Sequence, residues 1–274
     1  MTTMVSWLSV SGTGKRTLYI GADSQGTSVT NGTVASNSVR KVWFSSTTPE
    51  IFSFSGDVGW GQSFLRTLVA KIKNEQVLAS IGSPARAQEI SDLACSRPPD
   101  SAASALEVFY AVREGTGRSA SFHLHQLTHT GNSSDSWGVR AVAVDKLTKG
   151  VSTPVFAGGF GGKTNVQRQR WIASGDQGNV ARTCFWSLCD LVDGKPRNDI
   201  MTGGYPQLVK LDETGTGLVV GVKYHSVPTV FGSRSTNPQQ SAKVWVDETF
   251  TQLDPRTMKP YSRAQRYGRR QDGR

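Results

Sequence analysis

Cysteine is scarce in this chain of 274 residues, which has only Cys95, Cys184 and Cys189. Three scattered thiols exclude a disulfide framework, and Cys184 and Cys189 lack a second pair at metal-ligand spacing, so no metal site is expected. Apolar runs are short, and none approaches the ~20 residues of a membrane-spanning helix. The first residues show no basic stretch followed by an apolar core, so the expectation is a cytoplasmic protein without a membrane partner. A nucleotide-binding loop is missing as well: in SVSGTGKRT, Ser9 stands where a P-loop needs glycine and Arg16 where it needs Ser or Thr. Acidic residues are outnumbered, 21 against 31 Lys and Arg, leaving a net charge of +10. Half of that excess lies between Asp254 and Arg274, where seven Lys or Arg meet two Asp. This localisation argues against a general nucleic-acid surface. It suggests a basic, solvated tail over 254–274 that could touch an acidic partner, RNA or a neighbouring subunit.

What is present is a strand-rich chain with 36% hydrophobic and 19% charged residues, the profile of a globular domain, here placed at residues 2–253. Thr2 to Val10 and RTLYIGADS flank the turn GTGK and predict a hairpin. In VRKVWF, Val39, Lys41 and Trp43 share one face, and Arg40, Val42 and Phe44 the other. EIFSFSG then runs into a helical pattern of Trp60, Phe64, Leu65, Leu68 and Val69. PARAQEISDLAC predicts a second helix, broken at CSRPPDSA. Strands follow in ALEVFYAVRE, SFHLHQL, WGVRAVAV and TPVFAGG. After GGFGG come two helical stretches, the second carrying Val180, Cys184, Trp186, Leu188 and Leu191, and then strands in PQLVKLD, GLVVGVKYH and AKVWVDE. This order predicts an α+β fold of two packed sheets with a helix pair outside each.

Four local features carry chemistry. Removal of Met1 would give Thr2 both a hydroxyl and a free α-amine, whose pKa of about 7.7–8.0 suits it to act as the hydroxyl's own base. Asp23 ends a strand in GADSQGT, where it could hold a cation or simply start a turn. Lys41, between Val39 and Trp43, needs a carboxylate if its strand face is covered, and Asp23 is the obvious partner. In SGDVGWGQ, Gly56 precedes a helix N-terminus, where backbone N–H groups can stabilise an oxyanion.

Together, MTT, GADSQGT, SVRKVWF, FSFSGDVG and, later, NDIMTGGYPQLVKLDETG resemble the proteasome-type branch of the N-terminal-nucleophile hydrolases, with particular similarity to bacterial HslV peptidases. The resemblance runs in order over roughly residues 2–225. It implies a four-layer αββα sandwich and a threonine peptidase without cofactor. Thr2 would be the nucleophile, Asp23 the partner of Lys41, Lys41 the cation lowering the hydroxyl's pKa, and Gly56 the oxyanion donor. Asp199 and Thr202 would orient the amine. Thr27 would pair with an extended peptide, and Val39, Trp43, Phe54 and Val58 would line an apolar specificity pocket. The implied partners are a peptide or unfolded protein, further copies of the chain in a homo-oligomeric double ring, and a separate AAA+ ATPase. One departure is AGGFGG, which has no hydroxyl where the family has serine. That departure and the basic tail motivate a second reading, a catalytically silent ring or scaffold protein; because the same nucleophile cleaves many amides, an amidase acting on small molecules is a third.

Overall fold

The computed structural model describes residues 3–27, 34–74, 82–97, 105–129, 137–143, 152–159, 181–194 and 202–262. The strands are β1 (Thr3–Val10), β2 (Arg16–Ala22), β3 (Gly26–Thr27), β4 (Val34–Ser36), β5 (Val42–Phe44), β6 (Glu50–Ser55), β7 (Leu106–Glu114) and β8 (Ser121–His129). They continue with β9 (Trp137–Val142), β10 (Ser152–Gly158), β11 (Gln207–Asp212), β12 (Leu218–Tyr224), β13 (Val227–Val230), β14 (Ser233–Arg234), β15 (Val244–Asp247) and β16 (Gln252–Leu253). The described helices are α1 (Val58–Lys73), α2 (Ser83–Cys95), α3 (Ala181–Val192) and the single turn α4 (Pro238–Ser241).

This is a mixed α+β fold with two main sheets. The larger follows the order β10-β1-β2-β11-β12-β13-β14, with β15 beside β12 and β16 beside β15; the other runs β5-β6-β7-β8-β9. β1 and β2 pair along their whole length, from Met4 opposite Ala22 to Val10 opposite Arg16, as the hairpin pattern predicts. β2 then takes β11 on its other side, with Gln207 opposite Ala22. That pairing brings residues just past 200 to the end of β2, where Asp23 begins.

Period-2 alternation divides the core. Met4, Leu18, Ile20, Val209 and Leu211 from the larger sheet form one cluster with Val42, Ile51, Phe109, Ala111 and Leu124 from the other. The alternate residues Phe52, Phe54, Val108 and Tyr110 pack with Phe64, Leu65, Leu68 and Ile72 of α1 and with Ile90 of α2. On the opposite side, Val5, Trp7, Leu208 and Val220 pack with Cys184, Phe185, Leu188 and Cys189 of α3. The buried face of α3 thus includes Phe185 and Cys189, while the expected Trp186 is half-buried and Val180 lies outside the described residues. The helical stretch expected just after Gly162 also lies outside them.

Residues 254–261 make backbone contacts with one another and with β16. Asp254 N–H donates to the Lys259 carbonyl, Tyr261 N–H to the Gln252 carbonyl, and Pro260 bridges Leu253. Residues 263–274 of the basic tail lie outside the described residues. Among the described residues, no helix is long and apolar enough to cross a membrane.

Candidate active site

Asp23 is the hub of the site. It follows β2 directly, is completely buried, and accepts four hydrogen bonds. Oδ1 accepts from Thr3 N–H at 2.9 Å and from Lys41 Nζ at 2.9 Å. Oδ2 accepts from Gln25 N–H at 3.2 Å and from Gly203 N–H at 3.3 Å. A carboxylate removed from water is tolerated only when charge and donors replace its hydration. Here four segments of the chain supply them. Burial pushes the Asp23 carboxyl above the usual carboxylate range, while Lys41 and the N–H groups of Thr3 and Gly203 pull the other way.

Lys41 is equally enclosed, with both side chains of the ion pair at 0% exposure. Its Nζ also donates to the Gln25 carbonyl at 2.6 Å, so the ammonium sits between a charge and a backbone dipole. Its main chain is fixed too: the Lys41 N–H donates to Gln207 Oε1 at 2.9 Å. Gln207 Nε2 in turn donates to the carbonyls of Asp23 at 2.9 Å and Val39 at 2.6 Å. One buried glutamine therefore ties the two members of the ion pair to β11.

Thr3 begins β1 and is fully buried. Beyond its N–H bond to Asp23, its hydroxyl lies 2.6 Å from the Thr202 hydroxyl, and the Asp23 N–H donates to the Thr3 carbonyl at 3.2 Å. Threonine is an ordinary strand residue. Thr3 anchors the start of β1 at three points. Thr2 and Asp199 lie outside the described residues.

Gly56 follows β6 with φ of +113°, a conformation that disfavours a side chain. An added Cβ would also come within 2.6 Å of the Ala105 carbonyl oxygen. Asp57 caps α1, its side chain accepting the Trp60 N–H at 2.7 Å. Gly56 thus enters a capped helix from the end of a core strand, a rigid place for a backbone donor.

The four residues expected to line a pocket occupy two places. Phe54 is at 0% exposure and Trp43 at 7%, both in the core beneath α1, because their strand face is the one α1 covers. Val39 and Val58 instead both approach Gly26, where an added Cβ would meet Val39 at 2.8 Å and Val58 at 3.9 Å. The Thr27 backbone pairs with Val34 in β3–β4. A separate cavity of about 190 Å³ is lined by Thr48, Glu50, Ser83, Arg86, Tyr110 and Glu114. It lies at the Glu50 end of β6, roughly 20 Å from Gly56 at about 3.3 Å per strand residue.

Two buried polar residues were not read from the sequence, although a signal existed. Gln207 shares its strand face with Val209 and Leu211, and Glu107 shares one with Phe109 and Ala111. A polar residue in the apolar register of a covered strand marks a buried network. No group of three or more His, Cys, Asp or Glu among the described residues could hold a metal ion. The chain matches no protein-family model and no curated protein sequence.

Proposed function

We propose that the chain is a threonine peptidase of the N-terminal-nucleophile type, with Thr2 as the nucleophile once the bond before it has been cut. The observation that carries this reading is the buried Lys41–Asp23 pair, whose carboxylate also holds the N–H of Thr3, the residue after Thr2. A costly buried ion pair at the start of the chain has a use if a nucleophile beside it must lose a proton near neutral pH.

In this reading the Thr2 hydroxyl gives its proton to its own α-amine and attacks a peptide carbonyl. Lys41 favours the alkoxide by its charge, and the Gly56 N–H meets the developing oxyanion. The protonated α-amine passes that proton to the nitrogen of the scissile bond, the new amine end of the peptide leaves as the C–N bond breaks, and water then hydrolyses the acyl-enzyme, restoring the Thr2 hydroxyl. Thr202 and Asp199 orient the amine. The chain fold belonging to this reading is the four-layer αββα sandwich, supported by three core clusters: one between the sheets, one beneath α1 and α2, and one beneath α3. Its setting would be the cytoplasm, as a homo-oligomeric double ring acting on peptides or unfolded proteins, with a separate AAA+ ATPase for folded ones.

The full chain is treated with a peptidyl epoxyketone and its intact mass measured. We expect loss of Met1, one adduct located at Thr2, and none in Thr2→Ala. A retained Met1 with no adduct would instead favour the silent ring protein suggested by the hydroxyl-free AGGFGG and the basic tail.

A further inference from the structure

Glu107 is a buried acid that the mechanism above leaves unused. It stands in β7 in the register of Phe109 and Ala111, which face the cluster shared by the two sheets. At 6% exposure its carboxylate needs donors in place of water. Its Oε2 accepts the Gly159 N–H at 3.0 Å. Its Oε1 accepts Gln126 Nε2 at 3.4 Å, and Gln126 Oε1 accepts a guanidinium N–H of Arg140 at 2.7 Å. A chain of hydrogen bonds thus crosses β9, β8 and β7 and ends on the backbone of the other sheet.

Where it ends matters. Gly159 directly follows β10 and forms an antiparallel bridge with Thr3, the residue whose N–H is held by Asp23. Glu107 itself lies opposite Ser55, one residue before Gly56. The carboxylate therefore joins the strand end that presents Thr2 to the strand pair that carries Gly56. Gly158 and Gly159 bring no side chain of their own, so this segment is held from outside.

We propose that Glu107 is a positioning residue for acyl transfer: by accepting the Gly159 N–H it fixes the start of β1 at a set distance from Gly56. The inference rests on the peptidase reading. Misplacement of reacting groups by about 1 Å costs on the order of 100-fold in rate, so the effect belongs in kcat rather than KM.

The test measures the rate of Thr2 labelling by a peptidyl epoxyketone, with kcat and KM for a fluorogenic peptide, in the full chain. Glu107→Ala should slow labelling by about tenfold or more and lower kcat at nearly constant KM. Glu107→Gln keeps an oxygen that can accept from Gly159 and should stay within about threefold of the wild type. A Glu107→Ala protein that labels at the wild-type rate overturns the inference, as does a Glu107→Gln protein as slow as Glu107→Ala. If thermal melting shows that Glu107→Ala does not fold, Gln126→Leu decides. It removes a donor to the carboxylate's Oε1, and a slowing of several-fold supports the proposal, whereas an unchanged rate overturns it. A wild-type chain that is never labelled at Thr2 refutes the peptidase reading itself, a result distinct from all of these.

Discussion

Lys41 and Asp23 are both withdrawn from solvent, and each makes the other's burial tolerable. Removing one partner strands the second. Lys41→Met should therefore destabilise the fold by about 3–5 kcal/mol as well as abolish activity. Asp23→Asn combined with Lys41→Met should recover part of that stability but none of the activity. Urea denaturation at pH 7 separates the two effects. The ion pair was legible because an ammonium between Val39 and Trp43 on a covered strand demands a carboxylate. Thr3 was less legible: threonine is ordinary in strands, and only the three-dimensional approach of Thr202, from 199 residues away, gives its hydroxyl a partner. Gln207 escaped for a related reason. Its three bonds reach Lys41, Asp23 and Val39, none of them near it in sequence.

At the scale of elements, α1 lies so close to β6 that Gly61 leaves no room for a side chain. A Cβ there would come within 2.1 Å of the Phe54 ring. Gly61→Ala should push the helix off the sheet and cost about 1–3 kcal/mol, despite alanine's better helix propensity. Chemical denaturation checks the sign, which propensity alone would predict in reverse. The long elements were readable because their periods are clear. Trp60, Phe64, Leu65, Leu68 and Val69 mark α1, and strands β6 to β8 fall where alternating apolar residues stand. Two-residue strands such as β3, β14 and β16 have no period to read. For the same reason, the expected pocket faces of Trp43 and Phe54 became core: the sequence indicates which residues share a face but not which layer covers it.

At the scale of the whole molecule, the titration of His125 should contribute to how acid affects stability. His125 is buried against Tyr110, and burial, helped by His123 and opposed by Glu114, holds it below the usual histidine range. The unfolded chain accepts a proton near pH 6.5 that the folded chain refuses, so this contribution is complete above that pH and is lost as the pH falls. The melting temperature should drop between pH 7.5 and pH 5.5, and the drop should be smaller in His125→Gln, as differential scanning fluorimetry can measure. The net charge of +10 is a property of the same scale, and its concentration beyond Asp254 was visible at once. The contacts of residues 254–261 with β16 were not, because a turn with a single bridge leaves little trace in composition.

The bond from Gly203 to Asp23 spans 180 residues. A chain emerging from the ribosome has its Asp23 early, but the last donor to that carboxylate arrives roughly 10–40 s later, at about 5–20 residues per second. Until β11 docks beside β2, Gln207 cannot hold Lys41 either. Order of synthesis thus imposes latency: a half-made chain has every residue of the ion pair and no site, so the proposed peptidase would stay inactive towards itself and its neighbours until its fold is nearly complete.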